Sequence, residues 1–259
     1  MSAEALRAIS PSCALDKAGR ISCRTSELRD APAGEFTAID DTEADACALD
    51  ATGRVACWSA QTVWRPPADK LVAVHVTPRG PFGIHPASRD VRAAACGLEA
   101  TGGIRCWEAG ADGRTLAIAG SYTDLAVADE RVFALDARGT LLHWSDDGAG
   151  VVRKTEELAG PYTSVTARGV TTCVRADDGK ASCWARDFRA PSLVLGAVRQ
   201  IQAGNDHACV LQAGGDILCV GNRPPPRTKF AALGPPGAKH TCAIAMDRRG
   251  YCWGDPGRR

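Results

Sequence analysis

The cysteines of this chain fall into six pairs, and the two members of each pair are ten residues apart. The pairs are Cys13 with Cys23, Cys47 with Cys57, Cys96 with Cys106, Cys173 with Cys183, Cys209 with Cys219, and Cys242 with Cys252. No cysteine is left over. One interval that recurs along the whole chain indicates a repeat protein, in which every copy forms the same supersecondary unit.

A seventh copy without cysteines fits the same frame. Phe133 and His143 are also ten residues apart, and they stand between the third and fourth cysteine pairs. The first positions of successive copies are separated by 34, 49, 37, 40, 36 and 33 residues. Intervals of this length fit one four-stranded propeller blade per copy. The chain therefore contains seven copies of one unit.

The segment between two paired positions has the pattern of a tight β-hairpin. Between Cys47 and Cys57 the tip is Ala51-Thr52-Gly53, a three-residue loop in which glycine supplies the left-handed residue. The tip glycine recurs at Gly19, Gly53, Gly102, Gly139, Gly179 and Gly215. The seventh copy has Arg248 at this position. We therefore expect its turn to be built differently.

Three chemical states are open to the paired cysteines. Directly opposed residues at a non-hydrogen-bonded antiparallel site have Cα atoms about 4.5 Å apart, which lies within the disulfide range of about 4.4–6.8 Å. The spacing therefore favours one disulfide across each hairpin. Zinc sites usually gather four ligands through CxxC-type spacing, which these separated pairs lack. Free thiols that serve as small core side chains are the remaining alternative.

Two segments near the C-terminus carry a family pattern, HTCAIAMDRRGYCWGD and AGNDHACVLQAGGDILCVGN. They resemble the bacterial, cysteine-paired form of the RCC1-like repeat family, which includes a secreted β-lactamase inhibitor propeller. The resemblance covers essentially the entire chain. It implies an all-β fold, a seven-bladed β-propeller of RCC1-like repeats with intra-blade disulfides, formed by residues 1–259 as a single domain. Its ends would meet to close the ring, with the outer strand of the last blade either absent or donated by the first few residues.

Charge and cysteine content bear on partners and compartment. Thirty-one basic and thirty acidic side chains give a net charge of +1, which argues against a nucleic-acid partner. No apolar run is long enough for membrane insertion. The start of the chain lacks the regions of a signal peptide, yet twelve cysteines favour an oxidising compartment. We expect an exported, extracytoplasmic monomer in which Met1 replaces a removed leader.

The third copy departs most from the common frame. Its strand at 71–74 is followed by Cys96 after 22 residues, where four other copies use eight. Long loops on a rigid scaffold often carry function, and arginine is favoured at binding hot spots. A tolerated surface insertion is the alternative, and Trp64, which lies outside the repeat frame, could equally be buried under a loop. The predicted binding residues are Trp64, Arg79, Phe82, His85 and Arg89.

Other candidate residues fit structural roles better. Five tryptophans follow the second paired position of a copy, and residues repeated around a ring usually pack between blades: Trp58, Trp107, Trp144, Trp184 and Trp253. The acidic cluster before Cys47 is predicted to be a solvated loop because calcium would need further oxygen ligands. That cluster consists of Asp40, Asp41, Glu43 and Asp45.

No catalytic motif emerges, so we predict neither catalytic residues nor a metal or cofactor. The leading hypothesis is a non-enzymatic scaffold for protein–protein interaction, with a partner that the sequence does not identify. A lyase or hydrolase with a site at the central channel is the second hypothesis, and it would require perturbed acids or a metal at one channel mouth. The third is a cytosolic regulator of a small GTPase with reduced thiols, against which the complete cysteine pairing counts.

Overall fold

The computed structural model describes residues 5–83, 91–146, 152–185, 193–196, 198–221, 224–235 and 237–254. Within these ranges the chain forms 24 strands and one short 3-10 helix, Ser26–Leu28. The strands make seven antiparallel sheets, each built from consecutive strands. No helix in the described part of the chain has the length and apolar character needed to cross a bilayer. The fold is an all-β, seven-bladed propeller.

The blades follow one another along the chain. Blades 1 to 4 contain β1 (Leu6–Ile9), β2 (Cys13–Asp16) and β3 (Ile21–Cys23); β4 (Phe36–Asp41), β5 (Ala46–Asp50) and β6 (Val55–Trp58); β7 (Leu71–Thr77), β8 (Ala94–Glu99), β9 (Ile104–Glu108) and β10 (Thr115–Ile118); and β11 (Tyr122–Ala128), β12 (Arg131–Asp136), β13 (Leu141–Asp146) and β14 (Val152–Leu158). Blades 5 to 7 contain β15 (Tyr162–Arg168), β16 (Thr171–Ala176), β17 (Ala181–Ala185) and β18 (Leu193–Leu195); β19 (Val198–Ala203), β20 (Ala208–Gln212) and β21 (Ile217–Val220); and β22 (Phe230–Leu233), β23 (His240–Ala245) and β24 (Gly250–Gly254).

The first strand of each blade is its inner strand, and the inner strands of neighbouring blades pack side by side around the central channel. We call the upper face the side that carries the connections from the first to the second strand of each blade. The lower face carries the seven hairpin tips between the second and third strands. Because the sheets are antiparallel meanders, the two sets of connections lie at opposite ends of the strands.

All twelve cysteines form disulfides, and each disulfide joins the second and third strands of one blade. Cys47 stands directly opposite Cys57, with Cα atoms 4.0 Å apart. The prediction of cross-strand disulfides is confirmed, and the zinc and free-thiol alternatives fall away. The tryptophan prediction is also confirmed, because all five ring-repeated tryptophans are at most 9% exposed.

One backbone hydrogen bond joins every blade to the next. The N–H of Leu71, the first residue of β7, donates to the tip carbonyl of Gly53 at 2.8 Å. The same bond recurs around the ring, and at the closing joint the N–H of Leu6 donates to Arg248 at 3.0 Å. Our expectation of a different seventh turn is wrong, because Arg248 adopts φ 68°, close to the φ of 83° at Gly53.

The described strands of blade 1 all come from the N-terminal part of the chain, so the ring closes between blade 7 and blade 1. β1 pairs with β2, so the described N-terminal residues form the inner strand of their own blade. Blades 1, 2, 6 and 7 have three strands within the described ranges, whereas blades 3, 4 and 5 have four. Residues 1–4, which we considered as donors of an outer strand to blade 7, lie outside the described residues.

Candidate functional site

The upper face is irregular because its connections differ widely in length. The turn at 129–130 in blade 4 has two residues, whereas the connection at 78–93 in blade 3 has sixteen. The structure describes residues 78–83 and 91–93 of this long connection, which we call the blade-3 loop. It carries four of the five residues that the sequence predicts for binding.

Phe82 anchors the blade-3 loop in the protein. Its side chain is 4% exposed and belongs to the core shared by blades 3 and 4. The Arg114 guanidinium carbon lies 5.3 Å from the centroid of the Phe82 ring, a cation–π contact. Arg114 also donates to the Gly83 carbonyl at 3.1 Å and to both carboxylate oxygens of the buried Glu108 at 2.7 and 2.9 Å. These contacts fix the start of the loop.

Trp64 lies beneath the surface between blades 2 and 3. Its side chain is 9% exposed, and its indole Nε1 donates to Asp45 Oδ1 at 3.2 Å. Burial raises the pKa of Asp45, although the bond from Trp64 acts in the opposite direction. Of the two roles open to Trp64 in the sequence, burial is the one that the structure shows.

Arg79 is exposed, with 58% of its side chain accessible, unlike Trp64 and Phe82, the other two described members of the predicted set. Its Nε lies 3.7 Å from Glu130 Oε1 in blade 4, and its carbonyl accepts the N–H of Glu130 at 3.1 Å. Asp129 and Glu130 both have positive φ, 26° and 67°, so two non-glycine residues occupy a strained tight turn. His85 and Arg89 lie outside the described residues.

The acidic cluster before Cys47 is not a solvated loop, and that prediction is wrong. Asp40, Asp41 and Asp45 are 3%, 0% and 8% exposed, and only the Glu43 side chain is largely accessible. Position explains the difference. Asp40 and Asp41 end the inner strand β4, so they lie in the wall of the channel, where neighbouring blades meet.

Asp41 fastens blade 2 to blade 1. It accepts hydrogen bonds from the Ser10 hydroxyl, from the N–H of Ser12 at 3.0 Å, and from the N–H of Glu43 at 3.2 Å. Burial raises the pKa of Asp41, although these donors act to lower it. A carboxylate that satisfies two backbone donors is a structural clamp.

Other polar side chains of the inner strands make the same kind of contact. Asp40 Oδ2 accepts the N–H of Val76 in blade 3 at 3.0 Å, and Asp124 Oδ2 of blade 4 accepts the N–H of Val165 in blade 5 at 2.8 Å. Two similar bonds link blade 5 to blade 6 and blade 6 to blade 7, through Thr166 with Ala203 at 3.4 Å and Gln200 with Leu233 at 2.8 Å.

His75 completes this charged part of the channel wall. Its Nδ1 lies 3.3 Å from Asp40 Oδ2. Burial acts to lower the pKa of His75, but the bond to Asp40 and the negative charges of Asp40 and Asp124 raise it above its ordinary value. Burial likewise raises the pKa of Asp124. No group of three or more metal-ligating side chains occurs among the described residues.

Sequence reasoning missed the functional meaning of the inner-strand ends. The available signal was the position of the acids: Asp40 and Asp41 directly follow the apolar end of a strand that recurs in other copies. Side chains at that place contact a neighbouring blade rather than solvent: Asp40 contacts blade 3 and Asp41 contacts blade 1.

The comparisons with known proteins support the fold. No family model matches the chain, and no curated protein matches its sequence. The ectodomain of the Arabidopsis thaliana receptor kinase ACR4 superposes with a TM-score of 0.69 at 17% identity, over 97% of this chain and 95% of the other. Yeast RCC1, Prp20p from Saccharomyces cerevisiae, superposes with a TM-score of 0.67 at 14% identity, over 98% and 82%. The chain has the propeller fold of RCC1. Human WBSCR16 has a similar structure, with a TM-score of 0.68 at 11% identity over 95% and 87%.

Proposed function

We propose that this RCC1-like propeller is a non-enzymatic scaffold that binds a protein partner outside the cytoplasm. The observation that carries the proposal is the construction of the blade-3 loop. Its aromatic residue Phe82 is buried under Arg114, while Arg79 on the same loop is exposed. A segment that already packs against its own protein, as residues 78–83 do, loses little entropy when a partner binds, so more of the contact energy becomes affinity.

The arrangement of charge favours the upper face as the contact surface. Each hairpin tip of the lower face carries an acidic side chain with a basic one close by, such as Asp16 with Arg20 at 2.7 Å and Asp136 with Arg138 at 3.2 Å. Because this pairing recurs from tip to tip, it marks no single blade of the lower face as a contact surface. The upper face presents Arg79 and Glu130, whose charged atoms lie 3.7 Å apart and whose side chains are 58% and 41% exposed, so a partner can engage both.

Two observations support the location and the kind of partner. Six disulfides would persist only in an oxidising environment, and the ACR4 ectodomain has the same fold. Yeast RCC1 has been crystallised bound to Kap60, and the study of Prp20p concerns its binding to Gsp1p and histones. Those partners belong to those proteins. They illustrate that a propeller of this kind can act by binding proteins.

Charge-reversal variants on the two faces test the proposed contact surface. The intact protein, used as bait under oxidising conditions in extracytoplasmic material from its native source, should capture a partner. With that partner purified, Arg79→Glu should weaken binding about tenfold, as expected for an interfacial charge that meets an unfavourable neighbour. Arg138→Glu on the lower face is the matched control. Equal affinity of both variants and the unaltered protein would remove the blade-3 loop from the contact surface.

Phe82 and Trp64 need a different test because both are buried. Phe82→Ala should weaken partner binding together with a loss of thermal stability, since the ring supports the loop from below. A pure contact residue would lower affinity without moving the melting temperature. The comparison separates support of the binding surface from membership in it.

Catalysis at the channel is the second candidate, favoured by the raised pKa values of Asp41, Asp124 and His75. Their contacts favour the scaffold, because Asp41 and Asp124 each accept a backbone N–H of a neighbouring blade. Asp124→Asn tests this. As a clamp, the amide oxygen can still accept the N–H of Val165, but the amide nitrogen replaces Oδ1, which accepts the N–H of Leu125 at 3.0 Å, so the melting temperature should fall. Loss of a hydrolase or lyase activity in a variant that remains folded would support catalysis.

A further inference from the structure

A cavity of about 390 Å³ opens on the upper face where the ring closes. Three blades line it, because the connection at 10–12 in blade 1 is short and lets blades 2 and 7 approach each other above it. The side chains that matter chemically are Arg24 and Thr25 of blade 1, Glu43 of blade 2, and His240 and Cys252 of blade 7. The cavity is separate from the blade-3 loop and lies outside the proposed function.

A fixed guanidinium forms one part of the cavity wall. Arg24 Nη2 donates to the Pro11 carbonyl at 2.6 Å and lies 3.6 Å from Cys252 Sγ, so blades 1 and 7 hold the group in place. Within the described residues, no carboxylate comes within 4.0 Å of Arg24. Two of its nitrogens, Nε and Nη1, have no hydrogen-bond partner there and can serve a ligand.

The carboxylate of Glu43, on a backbone that is held in place, forms another part of the wall. The backbone of Glu43 is held at φ 80° by the bond from its N–H to the buried Asp41 and by the bond from the Thr25 hydroxyl to its carbonyl at 3.3 Å. The side chain is 54% exposed, and His240 Nδ1 lies 3.9 Å from Glu43 Oε1. A non-glycine residue held in this strained region is characteristic of functional positions.

The cavity is lined by two opposite charges that are not paired with each other, and this arrangement indicates the charge of a suitable ligand. Arg24 and Glu43 do not form an ion pair with each other. A simple anion would be attracted by Arg24 but repelled by Glu43. A simple cation would be attracted by Glu43 but repelled by Arg24. A ligand that carries both charges satisfies both walls. The volume lies near the lower end of the range for small-molecule sites, about 300–1,000 Å³.

We propose that the cavity binds a small zwitterion, a free amino acid or a short peptide, with its carboxylate on Arg24 and its ammonium group on Glu43. The free amino acid and the peptide share this chemistry and differ in length. The Cys242–Cys252 disulfide and Pro11 supply the apolar part of the wall beside the bound molecule.

Titration calorimetry with four probes tests the proposal. L-alanine and L-alanyl-L-alanine are the zwitterions, and the difference between them identifies the length that fits. Acetate and methylammonium each carry one of the two charges. We expect saturable binding of at least one zwitterion, and binding of each single-charge probe weaker by roughly tenfold or more, since each lacks one charge-assisted hydrogen bond.

Variants assign the two charges to their walls. Arg24→Met and Glu43→Gln should each weaken binding of the zwitterion by roughly tenfold or more. Exposed residues of the connection between blades 1 and 2 that do not line the cavity serve as matched controls, through Arg29→Met and Glu35→Gln. If Glu43→Gln lowers the melting temperature, Glu43→Asn replaces it, because asparagine tolerates the left-handed conformation.

Three results would overturn the proposal. The first is the absence of a saturable signal from both zwitterions at millimolar concentration. Acetate or methylammonium binding as tightly as the zwitterions is the second. The third is unchanged zwitterion affinity in folded Arg24→Met and Glu43→Asn proteins. None of these measurements involves the protein partner, so failure here is distinguishable from failure of the scaffold function.

Discussion

Blades 4 and 5 are neighbours with the same four-stranded plan, yet they hold their central hairpin together by different chemistry. In blade 5, Cys173 faces Cys183 and the two form a disulfide. In blade 4, Phe133 faces His143 in the same register, and the two rings stack with centroids 4.9 Å apart and an interplanar angle of 16°. The repeat therefore fixes the position of a cross-strand pair without fixing its chemistry.

The difference between the disulfide and the stacked rings shows how each pair contributes to stability. A disulfide acts largely by restricting the unfolded chain, whereas the stacked rings act only in the folded state, through burial and contact. Phe133 is fully buried, and the Arg131 guanidinium carbon lies 5.5 Å from its ring centroid. Blade 4 should thus be insensitive to reductant but sensitive to loss of a ring and to acid. Three predictions test that contrast, and a fourth compares the upper turns of the same two blades.

The largest expected effect is loss of the buried ring in blade 4. Phe133→Ala should lower the free energy of unfolding by about 4 kcal/mol, since the substitution removes a fully buried aromatic side chain and leaves a cavity. Urea denaturation under oxidising conditions measures the change. Phe133→Leu, which keeps much of the volume, should cost much less. A loss below about 1 kcal/mol for the alanine variant would mean that the stack does not support the blade.

The corresponding change in blade 5 is removal of its disulfide. The double variant C173A/C183A should lose about 3 kcal/mol, the chain-entropy value for a loop of about ten residues. Adding a reductant to this variant and to the unaltered protein should remove the difference between them. If the double variant unfolds at the same urea concentration as the parent under oxidising conditions, the disulfide of blade 5 is dispensable.

Acid should weaken the contribution of the Phe133–His143 pair of blade 4 to stability, but not that of the disulfide pair of blade 5. Burial, aided by the positive charge of Arg131, lowers the pKa of His143 to about 4. An unfolded histidine titrates near pH 6.5, so the unfolded state binds a proton first as the pH falls. Stability from this group is complete above about pH 6.5 and is lost between there and about pH 4, by up to about 3 kcal/mol.

The exchange variant F133C/H143C isolates that acid response. The two positions occupy the register of the cysteine pairs, so the variant should form a seventh disulfide, shown by zero free thiols under denaturing conditions. Asp41 and Asp124 have raised pKa values, whose effect on stability in acid has the opposite sign. The quantity to measure is therefore the difference between parent and variant at each pH. No difference in slope between pH 6.5 and 4 would contradict the assignment to His143.

The repeating parts of this fold were predictable from sequence because they depend on spacing. Ten residues between cysteines, with a glycine at the tip, allow one hairpin register, and Cys47 opposite Cys57 follows from it. Arg248 shows the limit of that reasoning. The tip needs a positive φ and a free carbonyl for the next blade, and arginine supplies both at a cost in strain that the sequence does not reveal.

The candidate sites were less predictable because they depend on which blades meet. The length of the blade-3 loop was readable, but the burial of Phe82 under Arg114 joins residues 32 positions apart in two different connections. The closing cavity joins Arg24 and Glu43 to His240 from the other end of the chain. Only ring closure brings them together, and no local pattern around any of these residues differs from that of an ordinary surface loop.

The smallest predicted effect concerns the upper turns of the two blades and has opposite signs in them. Asp129 and Glu130 in blade 4 both have positive φ, as a type I′ turn requires, and such turns prefer glycine at the second position. Relief of the left-handed strain should outweigh the greater freedom of glycine in the unfolded chain, so Glu130→Gly should raise the free energy of unfolding by about 0.5–1 kcal/mol. In blade 5 the turn uses Gly169 at φ 54°, where an added Cβ would lie 2.7 Å from Asn205 Oδ1, so Gly169→Ala should lower stability by about 1 kcal/mol.

The opposite signs make the turn prediction informative for function as well. Glu130→Gly also removes the exposed contact with Arg79, and a surface pair of this kind is worth only about 0.2–1 kcal/mol. A stabilised Glu130→Gly protein that binds its partner less tightly would show that the strained turn is kept for recognition. Thermal unfolding of the two variants beside the parent decides the stability question. Destabilisation by Glu130→Gly would mean that the contact with Arg79 outweighs the backbone strain, and the turn of blade 4 would then be a structural joint to the blade-3 loop.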